Sequence, residues 1–231
     1  MSDLADNLAS VRAAIAEAAL AAGREPDDIT LVGAAKTVAA ERVAEALQLG
    51  LTDIGENFVQ EAESKIPQVL ALAGSRATWH MIGHLQTNKV KTALSCFDVV
   101  ETVDSLRLAS ALSRRAGDAS IDVLLEVSLA DEAERTGFRP TDLEQEYSEI
   151  LRLSNLRVRG LMTVAPLGLE EAETRAVFRQ VRELRDRLRD AHPEHELATL
   201  SMGMTDDFPL AILEGATAVR VGRAIFGARP S

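Results

Sequence analysis

The sequence has one cysteine, Cys96, among 231 residues. No disulfide can form within the chain, and none is expected in a reducing compartment. Cys96 opens the apolar stretch SCFDVV and reads as a small buried hydrophobe rather than a reactive thiol. Aromatic residues make up only 3% of the chain, which removes most stacking platforms for single-stranded nucleic acid. Positive charge is also scarce. Lys and Arg number 25 against 36 Asp and Glu, for a net charge of −11. That argues against general binding to nucleic acid or to an anionic membrane. Long apolar runs are absent too. The richest alanine stretch, AAIAEAALAAG, is interrupted by Glu17 and is too short to span a bilayer. The opening MSDLADNLAS lacks the basic and apolar regions of a signal peptide, so a cytoplasmic protein is expected. No Pro/Gly/Ser-rich linker divides the chain, so one domain over residues 1–231 is the simplest reading.

What is present is a rhythm. Leu4, Leu8, Val11, Ile15 and Ala18 fall three and four residues apart, which predicts a helix over 3–22 closed by Gly23. Eight short apolar runs follow, at 30–36, 52–56, 78–83, 97–103, 121–129, 157–164, 198–203 and 217–222. Helical patterns separate them, at 39–49, 58–72, 87–95, 104–116, 142–153, 170–190 and 206–214, and a short turn at 223–227 closes the series. Alternation of this kind implies parallel strands joined by crossover helices. Eight units predict an α/β fold, a (β/α)8 TIM barrel with an extra N-terminal helix that is free to cover the bottom of the barrel. An open doubly wound sheet would need a GxGxxG turn after an early strand, and GAAKTV has none.

In such a barrel the active site lies at the C-terminal ends of the strands. The first strand ends in Lys36. Taken alone, Lys36 reads as a solvated charge that ends a strand. The sharper reading is a Schiff-base lysine, because a partly dry barrel mouth favours a neutral amine that attacks an aldehyde. A phosphate-binding P-loop is excluded, since its two glycines would have to stand at Thr30 and Ala35. The loops after strands seven and eight add weight. LSMGMTDD offers the Ser201 hydroxyl and Gly203, and Gly222 in RVGRAIFG lets backbone N–H groups approach an anion. With Lys36 they describe a site for a phosphorylated aldehyde. Arg220 shares a strand face with Gly222. Inside a barrel it needs an acceptor, either a pyridine nitrogen or a neighbouring acid.

Six stretches then resemble one family in order and along essentially the whole chain: AAKT around Lys36, GENFVQE at 55–61, WHMIGHLQTNK at 79–89, GLMTVAP at 160–166, LSMGMTDDF at 200–208 and VRVGRAIFGAR at 219–229. They are similar to the pyridoxal phosphate homeostasis proteins, single-barrel relatives of the alanine racemase N-terminal domain. The resemblance implies pyridoxal 5′-phosphate (PLP) bound as a Schiff base on Lys36. It implies Asn57 near the ring hydroxyl and Arg220 at the ring nitrogen. Ser201 and the backbone around Met202, Gly222 and Arg223 would hold the phosphate. Two positions depart from the family: Ala35 stands where serine is common, and Arg223 where threonine or serine is.

Racemases of the related type add a second domain with a catalytic tyrosine. Here the only tyrosine, Tyr147, lies in a helical pattern, and no second base is evident. A carrier and regulator of PLP is therefore expected rather than an enzyme, with PLP-dependent apo-enzymes as its partners and a monomer as the default state. A PLP-dependent amino-acid racemase is the alternative, and an aldolase using Lys36 without cofactor is a third. His80 and His84 are expected in packing or rim roles, without a metal. His192 and His195 read as solvated. The arginine-rich stretch 175–190 reads as a solvated helix face with i,i+4 pairs.

Overall fold

The computed structural model describes residues 3–117, 119–129 and 136–227. Eight parallel strands close into a barrel in sequence order: β1 (Thr30–Ala34), β2 (Asp53–Glu56), β3 (Thr78–Met81), β4 (Val99–Val103), β5 (Ile121–Glu126), β6 (Leu156–Met162), β7 (Thr199–Ser201) and β8 (Ala218–Val221). The helices are α1 (Asp3–Ala21), α2 (Ala40–Gln48), α3 (Val59–Ala73), α4 (Val90–Cys96), α5 (Leu106–Ala116), α6 (Pro140–Leu151), α7 (Glu171–Ala191), α8 (Phe208–Leu213) and α9 (Arg223–Phe226). The expected elements are all present. Six of the eight apolar runs overshoot their strands by one to three residues at the C-terminal end, where the chain leaves the sheet to build the rim; those ending at Glu56 and Val103 match β2 and β4 there. The expected helix 87–95 divides into a 3-10 turn, Thr87–Lys89, and α4.

Among the described residues, seven helices follow β1 to β7, and β8 is followed by the four residues of α9. The ring would therefore be open between α8 and α2. The N-terminal helix fills this place and does not cover the barrel bottom. α1 packs on α8 and α9. At the upper end Asn7 Nδ2 donates to Ile225 O at 3.0 Å, and Asp3 pairs with Arg42 at 2.8 Å. At the lower end Arg12 Nη2 donates to Gly50 O at 2.7 Å, and Arg24 just beyond α1 donates to Ala216 O at 2.6 Å. Its buried stripe is Leu4, Leu8, Val11, Ile15, Ala18 and Ala19. Each large member contributes roughly 1.5–3 kcal/mol by leaving water.

The strands are tightly stacked where side chains are small. A Cβ at Gly160 of β6 would lie 1.8 Å from Thr199 O of β7, so no other residue fits there without moving a strand. On α7, Arg175, Arg179 and Arg182 converge on the buried Glu214 beyond α8. The arginine run thus tethers one helix to its neighbour, where i,i+4 pairing along its own face was expected. Cys96 is half-buried against the core, and burial pushes its thiol up, away from the reactive thiolate. Among the described residues, no helix is long and apolar enough to cross a membrane.

Candidate functional site

The inner surface of the barrel is not wholly apolar. In parallel pairs, residues in register present side chains to the same face. Ser201 is in register with Ala218, and Arg220 lies two residues further along β8. His80 on β3 and Glu101 on β4 join the same interior. Arg220 is buried, and its Nη1 donates to Ser201 Oγ at 2.6 Å and its Nη2 to Thr163 O at 2.8 Å. Ser201 Oγ donates in turn to Glu101 Oε2 at 2.6 Å. Glu101 Oε1 meets His80 Nδ1 at 2.8 Å, and His80 Nε2 meets Asp53 Oδ1 at 3.1 Å.

This row alternates in charge. Burial opposes the charge on His80, but Asp53 and Glu101 outweigh it and push its pKa up to about 9. Burial likewise favours a neutral Glu101, yet His80, Arg220 and Ser201 hold its carboxyl below the usual range. Burial depresses Arg220, with Glu101, Glu126 and Asp207 opposing. A cationic His80 and an anionic Glu101 therefore stand beneath a cationic Arg220.

Above this row, at the C-terminal ends of the strands, lies a cavity of about 530 Å³. That is within the roughly 300–1,000 Å³ usual for small-molecule sites. Lys36, Asn57, Arg220, Gly222 and Arg223 all line it. Lys36 is half-buried on the β1–α2 loop, with its Nζ 5.0 Å from the ring centre of Phe58. Among the described residues no carboxylate pairs with it. Arg223 reaches the lip and pairs with Asp206 at 2.5 Å.

Two expected residues do not line the cavity. Ser201 and Met202 are fully buried beneath it. The Ser201 hydroxyl is engaged by Glu101 and Arg220, and the Met202 N–H donates to Ala218 O at 3.1 Å. The β7 loop reaches the cavity instead through Met204, Thr205 and Asp206. The sequence signal for Thr205 was available, but TDD there reads as a helix start. Val164 and Leu167 of the β6–α7 loop form an apolar lip that pattern reading missed, since exposed leucines look like any loop residue. Ala228 and Arg229, which end the last resembling stretch, lie outside the described residues.

The other candidates sit elsewhere. His84 is exposed on the rim, 3.2 Å from Asp104. Tyr147 is buried between α6 and α7, edge-on to the half-buried His192 with ring centres 5.2 Å apart. Burial pushes the Tyr147 phenol up.

Fold and site together define a class: a (β/α)8 barrel that presents one lysine to a cationic cavity at its mouth. Residues 4–230 match the alanine racemase, N-terminal domain family. The pyridoxal phosphate homeostasis protein of Pseudomonas aeruginosa is 44% identical over 231 residues, covering 99% of this chain and 97% of that one. Its namesake from Escherichia coli K12 is 39% identical, covering 99% and 98%. The structure of PipY from Synechococcus elongatus PCC7942 with PLP bound superposes with a TM-score of 0.87 at 39% identity, covering 97% of this chain and 100% of that one. The chain belongs to the pyridoxal phosphate homeostasis protein family, within the alanine racemase N-terminal domain fold. An alanine racemase of Clostridium difficile shares that fold at a TM-score of 0.73 and 18% identity, and this chain spans 57% of it.

Proposed function

We propose that this protein holds pyridoxal 5′-phosphate covalently on Lys36 and serves PLP homeostasis as a carrier, without turnover, with PLP-dependent apo-enzymes as recipients. The observation that carries the reading is local charge. The chain bears a net charge of −11, yet its mouth cavity is lined by Lys36, Arg42, Arg220 and Arg223 with Asp206 as the one acid in that lining; Arg42 and Arg220 also face Asp3 and Glu101 outside it, and Lys36 has no carboxylate partner among the described residues. A cationic cavity in an acidic protein selects an anionic ligand such as a phosphate ester. The residues fit the cofactor. Gly222 opens the backbone where a Cβ would meet Ala34 O at 3.1 Å, leaving room for a phosphate beside Arg223 and Thr205. Asn57 supplies an amide on the lysine side of the cavity.

When bound, the cofactor supplies an aldehyde carbon that bonds to an amine and a ring that absorbs visible light. Lys36 is the amine that faces the cavity. Arg220 is a donor only, so a ring nitrogen held against it would be kept unprotonated and the ring would be a weak electron sink. Ser201 and Met202 support this site from below, Ser201 by fixing Arg220. Tyr147, the residue a racemase reading would need, is sealed between two outer helices.

The test is spectral. Apo-protein incubated with PLP gains a visible band, and borohydride fixes the label on the peptide containing Lys36. A Lys36→Ala variant that keeps the band, or a label on another lysine, overturns the proposal. Interconversion of L- and D-alanine at ordinary enzymatic rates overturns the carrier role.

A further inference from the structure

Lys36 is not the only lysine near the barrel mouth. Lys65, on α3, is buried, and its ammonium makes three hydrogen bonds: to Ala35 O at 2.9 Å, to Glu56 Oε1 at 2.7 Å and to Glu61 Oε1 at 2.7 Å. An ammonium has three protons to donate, so Lys65 is saturated. Glu61 Oε1 also accepts the backbone N–H of Thr37 at 2.8 Å. The acceptor before Lys36 and the donor after it are thus held by one ion-pair cluster, Lys65 and Glu61 of α3 with Glu56 at the end of β2. None of the side chains in the cluster lines the cavity.

The loop needs such a hold. Thr37 has φ 63°, a left-handed conformation that a β-branched residue rarely adopts. Strained backbone of this kind persists only where the surroundings over-determine it. Ala35 is fully buried, with its N–H on Gly55 O at 2.8 Å, so the loop is fixed on the strand side as well. Between these anchors only the Lys36 side chain is left to move. Three members of the cluster come from 56–65, a stretch whose Asn57 lines the cavity, so one short segment serves both the lining and the loop that carries Lys36.

We propose that Lys65 and Glu61 are positioning residues for Lys36: by pinning the two peptide groups that flank it, they aim its amine into the cavity. This rests on the reading of Lys36 as the attachment point. Attachment joins the neutral Nζ to the aldehyde carbon; a C=N bond replaces C=O, and the oxygen leaves as water with the two amine hydrogens. The cluster touches none of these atoms. Its effect falls on the rate at which the amine meets the carbon, because a displacement of about 1 Å can cost about 100-fold. Phosphate capture, which uses the β7 and β8 loops, is left alone.

Stopped-flow growth of the visible band at several PLP concentrations separates encounter affinity from the rate of bond formation. Lys65→Met is expected to slow bond formation by about tenfold or more while encounter affinity stays within about twofold. Glu61, whose side chain is 24% exposed, gives a milder pair should Lys65→Met fail to fold. Glu61→Ala removes the acceptor for Thr37 N–H and slows the step, and Glu61→Gln, which keeps an acceptor oxygen, restores most of it. Folded Lys65→Met or Glu61→Ala protein that forms the band at the parent rate overturns the positioning role. Parent protein that forms no band refutes the attachment reading instead, so the two failures are distinct.

Discussion

Substituting Glu101→Gln tests the polar row inside the barrel. Glu101 is buried to 1% side-chain exposure, and its two oxygens serve His80 and Ser201 while Arg220 lies 3.7 Å away. Glutamine keeps the shape and one acceptor but removes the charge. His80 and Arg220 are then two buried cations that share only Asp53 and the more distant Glu126 and Asp207. Removing one partner of a buried pair costs about 3–5 kcal/mol, because the charge left behind stays desolvated. For a chain of this length each kcal/mol lowers the melting temperature by about 2–4 °C, so a fall of about 6–20 °C is expected. The decisive assay is a double-mutant cycle read by thermal or urea unfolding, with Arg220→Met as the second substitution. Removing both charges leaves no orphan between them, so the double variant loses less than the sum of the singles by at least about 1 kcal/mol. Additivity within about 0.5 kcal/mol, or a Glu101→Gln melting temperature within about 2 °C of the parent, refutes the argument that charge alternation holds this interior together.

Three further outcomes follow from the same geometry. His80 has its pKa raised from 6.5 to about 9, so its stabilising contribution is complete below pH 6.5 and is lost as pH rises through 9. Linkage makes this worth about 3 kcal/mol, and urea midpoints at pH 6 and pH 9.5 show the loss in the parent and a flatter profile in His80→Gln. Gly83→Ala would place a Cβ 2.3 Å from Asn57 O, a backbone atom that cannot step aside. Stability is expected to fall by about 1–3 kcal/mol, and PLP titration should show weakened binding because Asn57 is displaced from the cavity wall. Among the described residues, the buried Tyr147 hydroxyl has no hydrogen-bond partner. Tyr147→Phe should therefore gain about 1 kcal/mol in unfolding free energy and leave PLP affinity unchanged.

Much of this site could be read before any fold was known. Lys36, Asn57, Arg220, Gly222 and Arg223 were singled out from strand-end positions and from the family's motifs, and all five line one cavity. Strand ends are legible because a parallel barrel puts every C-terminal end at the same face. Ser201 shows where such reading stops. A serine at a strand end looks like a phosphate ligand, but whether its hydroxyl points to the cavity or into the interior depends on which residues face it from β4 and β8. Glu101 lies 100 positions away in the chain and takes that hydroxyl. Lys65 is a similar case: within its helical pattern it looks solvated, and only the packing of α3 against the first loop buries it.

The sequence by itself determined the barrel, its eightfold alternation and the lysine at its mouth, because these follow from local periodicity and from the chemistry that strand ends can display. The tertiary structure decided three things. α1 became a member of the helix ring, packed on α8 and α9 beside β8. His80, Glu101, Ser201 and Arg220 became one row of alternating charge, since barrel closure brings four distant strands within hydrogen-bonding distance. Lys36 and Lys65 took different roles, one facing the cavity and the other saturated outside its lining. Pattern already set Lys36 at a strand end and Lys65 inside a helix; what only the tertiary structure supplied are the three acceptors that bury and saturate Lys65.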